Sequence, residues 1–200
     1  QRAKSFGLTT SLDMAYPDPD SPAGRADWLS ILQNVLPFVD VFVPSYEEIT
    51  YMLWKKTDVP LSTGMLIKTT SILMGMGAKM TLIKLGNQGL YLRTSNKISR
   101  DDLGKAFQGN VEPWVGFKAQ LPCFKVDVVG TTGAGDVTVA GFLAAILRGM
   151  SPTDAITTAL AVGACCVETS DALSGILSWD ATWERINSGW QSHPVSEFSL

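Results

Sequence analysis

The sequence predicts an α/β fold, a three-layer α/β/α sandwich around a mainly parallel sheet, and two observations carry that prediction. Apolar β-like runs alternate with runs of helical period through most of the 200 residues. In addition, a short apolar run, Phe124 to Val129, passes through Gly130-Thr131-Thr132-Gly133-Ala134-Gly135-Asp136 directly into an apolar helical run that ends near Leu147. Glycines therefore stand where a strand hands over to a helix N-terminus. Unpaired N–H groups and the positive end of the helix dipole meet at such a junction, which suits it to an anion such as phosphate.

The elements follow in order. Ser5 to Leu12 reads as a strand that ends in Asp13, and a Pro/Asp/Ser loop runs on to Pro22. Asp13 has two readings, a turn former or a site residue at the carboxyl end of a strand. Trp28, Leu29, Leu32, Val35 and Leu36 recur at helical spacing, and Val39 to Val43 has the look of a buried parallel strand. Ser45 with Glu48 is a capping-box pattern opening a helix through Ile49, Met52 and Leu53. A helix is expected from about Ser62 to Met76, then a strand over Lys79 to Leu85. The turn Gly86-Asn87-Gln88-Gly89 leads from it into a second β run at Leu90 to Arg93. The long segment Thr94 to Gln120 is expected to hold strands or a functional element, with Trp114 and Phe117 packing on the sheet edge or covering the site. Ser151-Pro152-Thr153-Asp154 is a strong helix start, and Ser178 to Trp183 begins a final helix. The whole chain, 1–200, is read as a single domain with a polar, frayed tail over 190–200.

Asp136 carries the chemistry. Gly130 and Gly135 have the spacing of a phosphate-binding loop, but Asp136-Val137 stands where such loops place Lys and Ser/Thr. A carboxylate beside a polyphosphate is repulsive unless it has a task, and accepting a proton from an attacking hydroxyl is one. The alternative is an Asp that merely stabilises the first helical turn. A dinucleotide fingerprint is excluded, because Thr138 occupies the place of its third glycine.

Gly133-Ala134-Gly135-Asp136, with Thr131-Thr132 before it and Ala140-Gly141-Phe142 after it, resembles the C-terminal signature of the ribokinase-like (PfkB-type) carbohydrate kinases. The resemblance implies ATP-dependent phosphorylation of a sugar hydroxyl, with Asp136 as catalytic base and Gly133, Ala134 and Gly135 as an anion hole. It implies further that Glu48 acts indirectly on the magnesium-bound phosphates, with Ser45 in place of the family's Asn. Gly86 and Gly89 match the glycines of a nucleotide-bordering turn in which Lys84 replaces Thr. Together with Lys84, Gly86 and Gly89, the residues Thr131, Thr132, Gly163 and Gly175 are those that the resemblance assigns to ATP. The cofactors it implies are ATP and Mg²⁺. A monovalent cation is a weaker expectation, since Gly130 stands where the family motif starts with Asp. The resemblance covers only the C-terminal, nucleotide-binding part of a typical member, so the fold is expected to be incomplete at its N-terminus. The sugar-binding part is expected to lie outside these residues. A non-catalytic nucleotide- or sugar-binding module, or an inactive truncated kinase, is the alternative.

Composition limits the partners. The 46% hydrophobic and 18% charged residues describe an ordinary globular chain, and the formal charge of −3 argues against a nucleic-acid or anionic-membrane surface. No stretch reaches the length of about 18 apolar residues that a membrane helix needs. Cys123, Cys165 and Cys166 form no CxxC pair, which fits reduced thiols in a cytoplasmic protein. The single histidine, His193, in the polar tail rules out a zinc cluster or a Ser-His-Asp triad. The expected partners are ATP and a small sugar, with a homodimer left open.

Overall fold

The computed structural model describes residues 1–194. Its elements run α1 (Arg2–Ser5), β1 (Ser11–Asp13), α2 (Pro22–Arg25), α3 (Trp28–Val35), β2 (Val41–Val43), α4 (Tyr46–Trp54) and α5 (Thr63–Gly75). They continue with β3 (Met80–Lys84), β4 (Leu90–Thr94), α6 (Arg100–Leu103), β5 (Lys118–Leu121), α7 (Ala134–Leu147), α8 (Pro152–Val167) and α9 (Trp179–Asn187).

The five strands form one sheet in chain order. β1, β2 and β3 are parallel to their neighbours, and β3, β4 and β5 are antiparallel. The sheet is thus mixed, two parallel pairings and two antiparallel ones, because the Gly86 to Gly89 turn closes a hairpin where another crossover helix would have kept the strands parallel.

Side-chain alternation divides the core. Val41, Val43, Met80, Leu82, Leu90 and Leu92 face α7 and α8, whose Phe142, Ala145, Ile156 and Ala159 complete that layer. Phe42 faces the other way, into Leu32, Ile49, Met52 and Leu73 of α3, α4 and α5. Both faces of the central strands are buried, as parallel strands under helices require. Trp114 is fully buried and stands edge-on to Phe107 and Phe142, at 5.5 and 6.1 Å between ring centroids. It is a core residue rather than a cover for the site.

Three sequence readings are corrected. The strand expected over Ser5 to Leu12 is a helical turn, α1, followed by only three paired residues at Ser11–Asp13. The apolar run Phe124 to Val129 lies outside the sheet. Among the described residues its one bridge joins Phe124 to Ser192, because β5 has already taken the edge beside β4. The expected frayed tail is paired over its described part: Lys125 N–H donates to the Gln191 carbonyl at 2.8 Å and His193 N–H to the Cys123 carbonyl at 2.8 Å. The remainder, 195–200, lies outside the described residues. No helix among the described residues is long and apolar enough to cross a membrane.

Candidate active site

The site lies at the carboxyl ends of β1, β2 and β3, where α7 begins. Gly133 precedes α7 with φ +76°, and a Cβ there would collide with the Cβ of Ala172, so the turn demands glycine on both counts. Ala134 N–H turns back to the Thr131 carbonyl at 3.2 Å, and Val137 N–H starts the helical ladder on the Gly133 carbonyl at 3.0 Å. The N–H groups of Gly133, Gly135 and Asp136 have no acceptor among the described residues. These three, with the equally unpaired N–H groups of Thr131 and Thr132 before them, are available donors. Ala134, expected in the anion hole, has its N–H occupied by the turn. Asp27, Ser45, Ser62, Ser151 and Ser178 cap α3, α4, α5, α8 and α9 with their own side chains, whereas α7 has no side-chain cap.

Gly135 differs from Gly133. Its φ is not positive, and a Cβ added to it would meet only the Lys84 side chain, with Nζ at 3.6 Å. The fold does not need glycine there. What the missing Cβ leaves is open access to the helix N-terminus from the side of Lys84.

Lys84 ends β3, and its N–H donates to the Pro44 carbonyl at 2.9 Å. Its ammonium forms an ion pair with Asp13 Oδ1 at 2.7 Å, the same oxygen that accepts the Met14 N–H at 2.8 Å. Glu48 is fixed by the capping box: Oε2 accepts the Ser45 N–H at 2.6 Å, and Ser45 Oγ accepts the Glu48 N–H at 3.1 Å. Burial raises the Glu48 carboxyl above its ordinary value, a push that the Ser45 N–H and the Lys84 charge oppose and Asp13 adds to. Asp136 is exposed in the first turn of α7.

A cavity of about 340 Å³ opens beside this cluster. Of the residues singled out in the sequence, Lys84, Gly86, Gly89, Thr131, Ala134, Gly135 and Gly163 line it, while Glu48, Thr132, Gly133, Asp136 and Gly175 do not. Gly89 has φ +94° and abuts the Leu121 backbone, and Gly175 abuts the Cys165 carbonyl. Each glycine is required by the fold itself. Gly163 leaves room for the Thr138 hydroxyl, which donates to the Ala134 carbonyl at 2.7 Å. The far end of the cavity is apolar, walled by Val126, Val128, Leu160, Ala164 and Val167. Leu160, Ala164 and Val167 come from α8, whose small residues admit either close packing on α7 or a flat ring against them. Thr138 was legible in principle, lying one helical turn beyond Ala134 on the same face. The approach of His193 to the rim was not, since it depends on pairing between distant segments.

Among the described residues, no group of three or more His, Cys, Asp or Glu side chains converges to hold a metal ion. The donor set thus does not fit a protein-caged cation.

Comparison with known proteins names this arrangement. The pfkB family carbohydrate kinase model matches residues 1–179. The chain belongs to the pfkB family of carbohydrate kinases. Solved structures agree in fold: ribokinase from Thermotoga maritima superposes with a TM-score of 0.64 at 23% identity, covering 92% of this chain and 51% of that one. Arabidopsis thaliana ribokinase, complexed with ribose and ATP, gives 0.66 at 21% identity over 90% and 48%. Fructokinase from Vibrio cholerae, with fructose, ADP and calcium ion, gives 0.67 at 16% identity over 92% and 52%. The chain therefore spans about half the length of the pfkB-like structures it matches. No curated protein sequence matches it.

Proposed function

We propose that this chain is the nucleotide-binding part of an ATP-dependent phosphotransferase that transfers the γ-phosphoryl group of MgATP to a carbohydrate hydroxyl. The observation that carries the reading is Gly135. It is a glycine that neither its backbone angle nor its neighbours require, between a helix N-terminus with unpaired N–H groups and a lysine ammonium. The apolar wall of Val126, Val128, Leu160 and Ala164 suits the flat face of a purine. The polyphosphate runs from there past Lys84 to the start of α7.

Each part has a defined task. The N–H groups of Gly133, Gly135 and Asp136 hold the oxygens of the transferring group, where donors already in place stabilise developing charge without reorganising. Asp136 takes the proton of the attacking hydroxyl as its oxygen bonds to the γ-phosphorus. The bond from that phosphorus to the bridging oxygen breaks, and ADP leaves with the electron pair. Lys84 balances phosphate charge as a point cation. Glu48, held by its capping box close to Lys84 and Asp13, is the residue that would act indirectly on the metal of a bound MgATP. The ribose and ATP in the Arabidopsis relative, and the ATP and Mg²⁺ in a putative ribokinase II from E. coli, support this choice of substrates.

The test is transfer of label from γ-³²P-ATP to a panel of hexoses, ketoses, sugar acids and nucleosides, with Asp136→Asn as control. A labelled sugar phosphate is expected from a form of the protein that contains the acceptor site. Loss of the base lowers turnover by about 10²–10⁴ with MgATP affinity nearly unchanged. A control with ordinary turnover would remove Asp136 from the mechanism. A second reading, a module that binds the nucleotide and catalyses nothing by itself, is favoured by Ser45, Lys84 and Gly130, which stand where the resemblance expects Asn, Thr and Asp. That reading predicts MgATP binding with no labelled sugar.

A further inference from the structure

We infer that Asp13 is a built-in counter-anion for Lys84, which the polyphosphate displaces on binding. The inference rests on the MgATP reading of the cleft. Lys84 Nζ sits 3.6 Å from the place a Gly135 Cβ would occupy, close to the positive end of α7, with a side chain only 15% exposed. An ammonium there is disfavoured both by the helix dipole and by partial burial. It is held by the Asp13 carboxylate at 2.7 Å, and Glu48 lies near enough for its charge to act on the same group.

Asp13 is itself fixed. It is the last residue of β1, and its Oδ1 also accepts the Met14 N–H at 2.8 Å. The carboxylate therefore stays in place while the flexible lysine stem turns toward an arriving phosphate. A phosphate at α7 offers Lys84 a charge-assisted partner that the helix N-terminus also favours, so the lysine exchanges one anion for another. Asp13 thereby keeps Lys84 aimed at Gly135 before binding, and it sets how strongly a ligand must bind to claim the lysine. Asp13 is a positioning residue in this scheme.

The consequence is opposite to that of an ordinary binding residue. Asp13→Asn retains an acceptor for Met14 N–H and removes the competing charge, so it tightens binding of both MgATP and inorganic tripolyphosphate. The gain is about five- to tenfold, the scale on which a charge-assisted hydrogen bond exceeds a neutral one. Lys84→Met weakens both by about tenfold or more, and Lys84→Arg restores most of that loss. A second measurement needs no change at Asp13: the ¹⁵N resonance of the Lys84 ammonium, assigned by its loss in Lys84→Met, moves when tripolyphosphate is added to the unsubstituted chain. Unchanged or weaker binding by a folded Asp13→Asn chain, or a Lys84 resonance that tripolyphosphate does not move, overturns the inference. Binding that ignores both substitutions would leave the nucleotide reading intact and remove only this exchange. An unsubstituted chain that binds neither ligand removes both.

Discussion

Three glycines of the site differ in what they do, and substitution separates them. At Gly133 the positive φ and the crowding by Ala172 make any side chain strained. Gly133→Ala is expected to lower stability by about 1–3 kcal/mol in urea unfolding, whether or not a ligand is present. Gly163 packs on the Thr138 hydroxyl and joins two helices. Gly135 alone is unneeded by the fold. None of this distinction was legible in the sequence, where Gly133, Gly135 and Gly163 are all glycines in small-residue surroundings. What separates them is the neighbour that a Cβ would meet. Asp13 was legible only as one of two alternatives, since its partner Lys84 lies on a strand 71 residues away.

Glu48 has a pH signature. Burial raises its carboxyl above the ordinary 4.5, so the folded chain binds that proton more readily than the unfolded chain does. This contribution to stability is fully present below 4.5 and is lost as pH rises through the folded value. Glu48→Gln, which does not ionise, should therefore gain on the parent chain as urea unfolding is repeated from pH 4 to pH 7. A parent chain that gains on the variant over the same range would show that Glu48 is not held back by burial.

At the scale of elements, helix starts were readable and the motif strand was not. Ser45 with Glu48 and Ser151 with Pro152 are local signals, and each caps the helix it was expected to cap, while Ser62 caps the helix expected to begin near it. A strand has no such local signal, because its existence depends on a free sheet edge. Phe124 to Val129 has the apolar composition of a strand, but β5 occupies the neighbouring position and the run becomes a cavity wall. The C-terminal segment braces that wall. Trp190 stacks on Phe124 at 4.4 Å, and the Arg185 guanidinium lies 3.7 Å over Trp190 while forming a two-pronged ion pair with Glu168 at 2.6 and 2.8 Å. The hydrogen bonds from Arg185 hold the Glu168 carboxyl below its usual range.

The pairing of α7 and α8 makes a sharper prediction. Gly141 is buried, and a Cβ on it would lie 3.1 Å from both Ala159 and Val162. Gly141→Val should destabilise the chain by about 1–3 kcal/mol through overpacking, read as an earlier urea midpoint at unchanged slope. It also moves the start of α7, so MgATP binding is expected to weaken with it.

Across the whole molecule, one buried charge ties distant segments together. Asp40 has no exposed side-chain area and accepts from Lys4 and Lys79, at 2.7 Å to its two oxygens, and from the Thr10 N–H at 2.8 Å. Both lysines also donate to the Asp102 carbonyl, so α1, α6 and the residues that lead into β1, β2 and β3 are tied together around one carboxylate. Asp40→Ala leaves two partly buried ammonium groups without their anion and should cost about 3–5 kcal/mol. A loss below about 1 kcal/mol in urea unfolding would mean that water replaces Asp40. The three-layer α/β arrangement was legible from the alternation of patterns, but the antiparallel half of the sheet was only hinted at by the Gly86 to Gly89 turn. The ion-pair centre at Asp40 was not legible at all, since its members are scattered from Lys4 to Asp102.

The central claim is that the open side of Gly135 exists for a phosphate, and calorimetric titration of MgATP into the unsubstituted chain and into Gly135→Ala tests it most directly. Alanine suits a first helical turn, so the variant should melt no lower than the parent chain without ligand. It should bind MgATP at least about tenfold more weakly, a change of about 1.4 kcal/mol. Equal affinities in two equally stable chains would contradict the account.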